Sequence, residues 1–282
     1  MPQAPTNTPI PPSSPGNDTR FAGAIPALYD EVLVPMMFAP YAADMARRVA
    51  ARRPRRVLEI AAGTGAVTRA LAAALGGDAE IVATDLNAAM LDQAARRGTP
   101  PGVQWRTADA MDLPFDAAQF DVVVCQFGAM FFPDRPHAYA QARRVLAPGG
   151  AFLFNVWDEI ATNEFADTVN TALAGLFPHD PPRFMARVPH GHGDRALIRR
   201  DLAAAGFAAE PQIDSVAART HAPSAQVAAT GYCQGTPLRG EIEQRAPGGL
   251  ARATEVCAEA LAQRFGNGAI AGWAQAFVIT VE

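Results

Sequence analysis

The chain of 282 residues contains no lysine: all 24 of its basic side chains are arginine. Chemistry that depends on a lysine amine is thereby excluded, which removes pyridoxal-phosphate enzymes, Schiff-base aldolases, P-loop NTPases and protein kinases. Cysteine is scarce as well. Cys125, Cys233 and Cys257 stand far apart, a pattern that builds neither a disulfide framework nor a Cys-x-x-Cys metal site, and they read as reduced, buried thiols of a cytoplasmic protein. Strong charge of either sign is also missing: the formal net charge of −4 gives no field to attract nucleic acid or an anionic membrane. No stretch approaches the roughly 18 consecutive apolar residues of a membrane span, and the N-terminus lacks a basic region followed by an apolar one. The expectation is a chain without a membrane span or signal peptide.

What the chain has is alanine, 60 residues of it, and a hydrophobic content of 49% that can fill the core of one or two domains. Residues 1–20 hold six prolines among small polar residues with no periodic apolar face, and read as a disordered tail. Residues 21–54 read as two short helices around a break at Pro35 to Pro40. A run of six arginines between Arg47 and Arg56 fits a solvated helix terminus.

From Arg56 onward, short apolar runs alternate with helical patterns. Strands are predicted at Arg56–Ala61, Glu80–Asp85, Val103–Ala108, Phe120–Gln126 and Ala151–Trp157. Continuous runs such as Val122 to Val124 suit a parallel sheet covered on both faces, so residues 55–160 are predicted to form a doubly wound α/β core. Residues 161–282 add mostly helices and two late strands, near Pro211–Val216 and Ala276–Val281, with a helical insertion between them that walls a substrate cavity. Pro178 to Asp194, rich in Pro, His and Gly, reads as a long irregular loop of the kind that forms lids.

The first predicted strand runs through Glu59 into Ala61-Ala-Gly63-Thr-Gly65 and then a helix. Glycine at 63 and 65 permits a tight turn and close approach of a ligand to the backbone. A dinucleotide fingerprint would carry a third glycine where Thr68 stands, which argues against a nicotinamide-dependent oxidoreductase, the competing enzyme class. Asp85 ends the second strand, where a carboxylate can accept hydrogen bonds from both hydroxyls of a ribose. Leu86 follows it, Asn87 is a candidate helix cap, and Met90 could lie on an adenine ring or in the core. Asp109 and Ala110 end the third strand and could bind an adenine edge.

Glu59-x-x-x-Gly63-x-Gly65, Asp85-x-x-x-x-Met90, Asp109-Ala110, Phe120-Asp121 and Leu146-Ala-Pro-Gly-Gly150, taken as a set, resemble the class I S-adenosylmethionine (SAM) dependent methyltransferases over about Val57 to Trp157. Within them, Cys125-Gln-Phe-Gly-Ala-Met-Phe-Phe-Pro-Asp134 and Arg144-Val-Leu-Ala-Pro-Gly-Gly150 resemble the ubiquinone/menaquinone C-methyltransferase-like group of small-molecule enzymes. The resemblance implies a seven-stranded Rossmann-like sheet with an antiparallel last strand, and N-terminal helices closing over the cofactor. It implies SAM as cofactor, with Glu59, Ala61 and the glycine loop near its methionine part. Asp85 would lie on the ribose, Asp109 and Ala110 at the adenine, and Gln126 near the transferring methyl, with Tyr29 closing the pocket and Leu86 and Met90 as further candidates for contact with the cofactor. The fourth strand ends in Gln126-Phe127-Gly128 rather than Asn/Asp-Pro-Pro-Tyr/Phe, so methylation of base amino groups is not implied.

The reaction expected is transfer of a methyl group to an oxygen, carbon or nitrogen of a small molecule, with aromatic and quinone-like acceptors among the candidates, the alternative being a SAM-binding protein without catalysis. A sulfonium methyl is already activated, so neither a metal nor a covalent enzyme intermediate is required. The protein supplies orientation, exclusion of water and, for an O–H or C–H acceptor, removal of a proton. Candidate bases are His190, His192, His137 and His221. The first two rank highest because they share the predicted lid. The sequence sets no oligomeric state.

Overall fold

Strands apolar on successive residues need cover on both faces, and the fold supplies it with helices on either side of one sheet. The structure, a computed structural model, describes residues 18–282. The tail expected over residues 1–20 therefore lies outside the described residues except for its last three.

In chain order the elements are α1 (Ile25–Leu28), a π-helical stretch (Tyr29–Phe38), α2 (Ala39–Ala51), β1 (Arg56–Ile60), α3 (Ala66–Leu75), β2 (Glu80–Asp85), α4 (Ala88–Arg96) and β3 (Val103–Thr107). They continue with β4 (Phe120–Gln126), α5 (Arg135–Val145), β5 (Leu146–Trp157), α6 (Glu164–Leu176), α7 (Phe184–Arg187) and α8 (Arg195–Ala204). The chain closes with β6 (Gln212–Ala222), α9 (Ala225–Gln234), α10 (Leu238–Arg245), α11 (Leu250–Phe265) and β7 (Ile270–Val281). The sheet order is β3-β2-β1-β4-β5-β7-β6, with β7 antiparallel to both its neighbours. Strand order reverses between β1 and β4, and the crevice outside the carboxyl ends at such a switch point is where open α/β sheets bind ligands.

Two expectations need correction. The N-terminal helices are not interrupted at Pro35: the chain winds through it in wider π turns, whose longer hydrogen-bond step accommodates a residue that lacks an N–H and crowds the preceding turn. Pro40 lies further along the same unbroken helical run, where α2 continues directly from the π turns. The late strands are also longer than predicted. Half of β6 faces outward, giving the alternation Gln212-Ile-Asp-Ser-Val, which is weaker as a signal than an apolar run.

The N-terminal helices dock on the core through Asp30, whose side chain is fully buried. It meets Arg97 at 3.4 Å, Arg69 at 3.7 Å and the Gln93 amide at 3.1 Å. A buried carboxylate is tolerated only with such partners. The arginine run is largely matched by carboxylates: Arg48 reaches Asp44 and Asp214, each at 2.6 Å, Arg47 also binds Asp44, Arg52 binds Glu282, and Arg56 lies 3.3 Å from Glu80.

Candidate active site

At the carboxyl ends of β1 and β4 two residues with side chains adopt left-handed backbone, Ala61 (φ 55°) and Phe127 (φ 51°). Non-glycine residues held there cluster at functional sites. Both line a cavity of about 440 Å³, within the usual range for small-molecule pockets.

One half of this cavity is walled by Ala61, Asp85, Leu86, Asn87, Met90, Asp109 and Ala110. Asp85 is buried at the tip of β2; its Oδ2 accepts the Gly63 N–H and its Oδ1 the Asn87 N–H, each at 2.8 Å. Burial pushes this carboxyl above the usual range, and the two amides pull it back. Asn87 starts α4, yet its side chain makes no capping bond. Instead its amide nitrogen turns toward Asp85 Oδ1 at 3.5 Å, which corrects the reading of it as a cap. Met90 is buried, as its core reading expects, and also lines the wall. The Asp109 carboxylate accepts the Met111 N–H at 2.8 Å. Tyr29 also lines the cavity: its ring stacks on Phe38 with centroids 5.0 Å apart, and its phenol is pushed up, first by burial and then by the nearby Asp85 charge.

Glu59, Gly63 and Gly65 do not line the cavity. Glu59 is buried behind the loop, where its Oε2 accepts the Thr68 hydroxyl at 2.5 Å, and burial pushes its carboxyl up to about 8. A Cβ on Gly65 would come within 2.6 Å of the Trp105 ring, so this glycine makes room for protein rather than for a ligand. The three residues shape the loop that holds Asp85.

The other half is apolar and aromatic: Phe38, Phe127, Met130, Trp157, Phe184 and Tyr232 belong to it. Phe127 and Trp157 stack with centroids 3.8 Å apart and planes 9° off parallel. Gln126, the last residue of β4, also lines the cavity.

The predicted lid is an ordered wall. α7 sends Phe184 and Met185 into the core, and Pro189 and His190 line the cavity. Arg187 ties the segment to Asp18 at 2.5 and 2.9 Å and to Glu241 at 2.9 Å, so the last residues of the expected tail are part of the closure. The two candidate histidines separate here. His190 Nδ1 lies 2.9 Å from the Asp158 carbonyl; a carbonyl only accepts, so Nδ1 carries the proton and Nε2, buried and without a partner, keeps its lone pair. Burial pushes His190 down to about 4. His192 does not reach the cavity: it is fully buried, with Nε2 3.2 Å from the Tyr139 hydroxyl. The expectation that it serves as a base is corrected, because two histidines two residues apart in this loop turn to different sides. His137 binds the Met111 carbonyl at 2.8 Å and, like the exposed His221, lies outside the cavity wall.

Sequence reasoning missed Asn155, buried in β5 beside Gln126, and Tyr232 and Thr236, which line the cavity. The first is a single polar residue in an apolar strand, and the other two lie on or just after a helix far along the chain, with no local pattern to mark them.

A family model described as a methyltransferase domain matches residues 57–150. Ubiquinone/menaquinone biosynthesis C-methyltransferases are similar in sequence. That of Ralstonia pickettii is 33% identical over 170 residues, covering 57% of this chain and 70% of the relative. That of Stutzerimonas stutzeri is 32% identical over 170 residues, covering 56% and 66%. The matches thus span about two thirds of these relatives' length. Among solved structures, the YcgJ protein of Bacillus subtilis aligns with a TM-score of 0.54 at 19% identity, covering 86% of this chain and 97% of that one. A methyltransferase-fold protein of Bacillus halodurans gives 0.53 at 19%, covering 85% and 97%. These structures bear on the fold alone; the sheet order, the Asp85 cradle and the sequence relatives together lead to one conclusion. The chain belongs to the class I SAM-dependent methyltransferases.

Proposed function

We propose that the cavity takes SAM in its Asp85 half and, in its aromatic half, a small neutral molecule bearing an aromatic hydroxyl, which the protein methylates. The observation that carries this reading is the division of the cavity wall. Among the described residues its charged ones are Asp18, Asp85 and Asp109, with no arginine, and the chain has no lysine. An acceptor with a carboxylate or phosphate would find no cation there, whereas a flat neutral ring finds Phe127, Trp157 and Phe38. The quinone-biosynthesis role named for the relatives makes a quinol-like ring the first acceptor to test.

The residues present fit SAM. Asp85 is placed to accept from the ribose hydroxyls, Met90, Asp109 and Ala110 to contact the adenine, and Leu86 and Tyr29 to cover it, with Glu59, Gly63 and Gly65 supporting the loop and Ala61 and Gln126 beside the methionine part. When bound, SAM supplies a methyl group activated on a sulfonium. The chain's contribution is to align the acceptor on the aromatic wall, to exclude water through the Asp18–Arg187–Glu241 closure, and to take the hydroxyl proton at His190 Nε2. His190 suits that role in having its Nδ1 proton held by the Asp158 carbonyl, which leaves the Nε2 lone pair without a partner.

The test is transfer of labelled methyl from SAM to 1-naphthol and 1,4-naphthohydroquinone, kept anaerobic, beside their carboxylated analogues. Transfer to the neutral compounds alone is expected; transfer only to the anionic ones contradicts the reading. His190→Ala is expected to lower turnover at least about tenfold, about 1.4 kcal/mol of barrier, while S-adenosylhomocysteine affinity stays within about threefold. Unchanged turnover removes His190 from the chemistry. Among the described residues no three His, Cys, Asp or Glu side chains gather as a metal site. Excess chelator is accordingly expected to leave turnover intact, and a requirement for Mg²⁺ would contradict the proposed division of labour.

A further inference from the structure

Asn155 is fully buried in β5, opposite Gln126 in the β4–β5 register, and is not part of the cavity wall. Its Oδ1 accepts the Phe127 N–H at 2.9 Å. A backbone N–H can only donate, so the oxygen of Asn155 must face Phe127 and its Nδ2 must face the other way. That nitrogen lies 3.4 Å from Gln126 Oε1. The same reasoning then fixes the next amide: with an N–H donor at its oxygen, Gln126 turns its own NH₂ group away from Asn155. Gln126 lines the cavity, and no described residue takes its Nε2.

The surroundings hold this arrangement still. Phe127 sits in left-handed backbone, a strained state for an aromatic residue that persists only where neighbours enforce it. Its N–H bond to Asn155 and its stack on Trp157 do so. Gly128 follows with no room for a side chain, since a Cβ there would come within 2.5 Å of the Ala61 Cβ.

The geometry points to Asn155 as a positioning residue that turns the Gln126 amide N–H into the cavity, as the donor for an oxygen of the methyl acceptor. This rests on the aromatic half being the acceptor site. Paired with His190, which accepts a proton, a donor at Gln126 distinguishes an acceptor bearing a hydroxyl or carbonyl oxygen from a bare hydrocarbon ring.

Neutron diffraction from the deuterated wild-type protein tests the orientation without any acceptor. Deuterium on the cavity side of the Gln126 amide is expected; the Gln126 oxygen on that side overturns the proposal. The donor role is read from 1-naphthol binding in the presence of S-adenosylhomocysteine. Gln126→Glu keeps an oxygen for Asn155 Nδ2 but offers the cavity no N–H, so it should weaken 1-naphthol at least about fivefold. Asn155→Leu, which frees Gln126, should do the same, and combining the two should add little. A purely structural Asn155 would lower thermal stability without this pattern. Equal 1-naphthol affinity in wild type and Gln126→Glu, or no saturable binding to wild type, overturns the donor role. Naphthol that binds as expected but is never methylated counts instead against the methyl-transfer reading.

Discussion

Replacing Asp85 by alanine is expected to weaken binding of S-adenosylhomocysteine about 100-fold, close to 3 kcal/mol, the upper end for hydrogen bonds to a charged group. The upper end applies because two losses coincide. On the proposed reading the ribose loses its acceptor, and the Gly63 and Asn87 amides, each 2.8 Å from the carboxylate, lose the partner that shapes their loop. Asp85→Asn keeps one acceptor oxygen and should fall between, at about tenfold. Calorimetric titration measures both variants. A change of less than about threefold for Asp85→Ala would remove the residue from the cofactor site.

The second large effect is on stability in acid. His192 is buried and held neutral, its pKa pushed down to about 4 by burial and then by Arg135, whereas an unfolded histidine titrates near 6.5. Between these values the unfolded chain binds a proton that the folded one refuses. The resulting stability is present above about pH 6.5 and is lost as pH falls toward 4, by about 1.4 kcal/mol per pH unit and about 3 kcal/mol in all. His190 behaves in the same sense. Glu59, pushed up to about 8, has the opposite sign: its contribution is complete below about pH 4.5 and is lost as pH rises through 8. The clean measurement is therefore a difference. Denaturant unfolding of wild type and His192→Phe from pH 4 to 7 should show a slope shallower by about 1.4 kcal/mol per pH unit in the variant, with turnover at pH 7 retained. Parallel slopes would mean that His192 is protonated in the fold.

The Asp85 half of the cavity was legible because it is built locally. A strand, a glycine turn, a helix and an acid at the next strand's tip stand at spacings that the backbone geometry of a parallel sheet dictates, so Asp85, Met90 and Asp109 could be named before any contact was known. Even there the sequence misjudged distance: Glu59 and Gly65 belong to the motif yet act one layer behind the wall. The aromatic half is assembled from Phe38, Phe127, Trp157, Phe184 and Tyr232, brought together only by tertiary folding, and no local spacing links them. His190 and His192 illustrate the difficulty, since side-by-side residues in one irregular loop have unlike surroundings. Asn155 was invisible for a related reason: one asparagine in Phe-Leu-Phe-Asn-Val-Trp gains meaning from the Phe127 amide across the sheet. The π turns around Pro35 were hidden because proline signals a break wherever neighbouring packing does not override it.

The most direct test of a cavity shared by cofactor and aromatic acceptor is a crystal structure of the protein with S-adenosylhomocysteine and 1-naphthol bound together. The result expected has both ribose hydroxyls on Asp85, the adenine beside Met90, Asp109 and Ala110, and the naphthol ring against Phe127 and Trp157 with its hydroxyl at His190 Nε2. Adenosine bound away from Asp85, or naphthol bound outside the aromatic half, would contradict it.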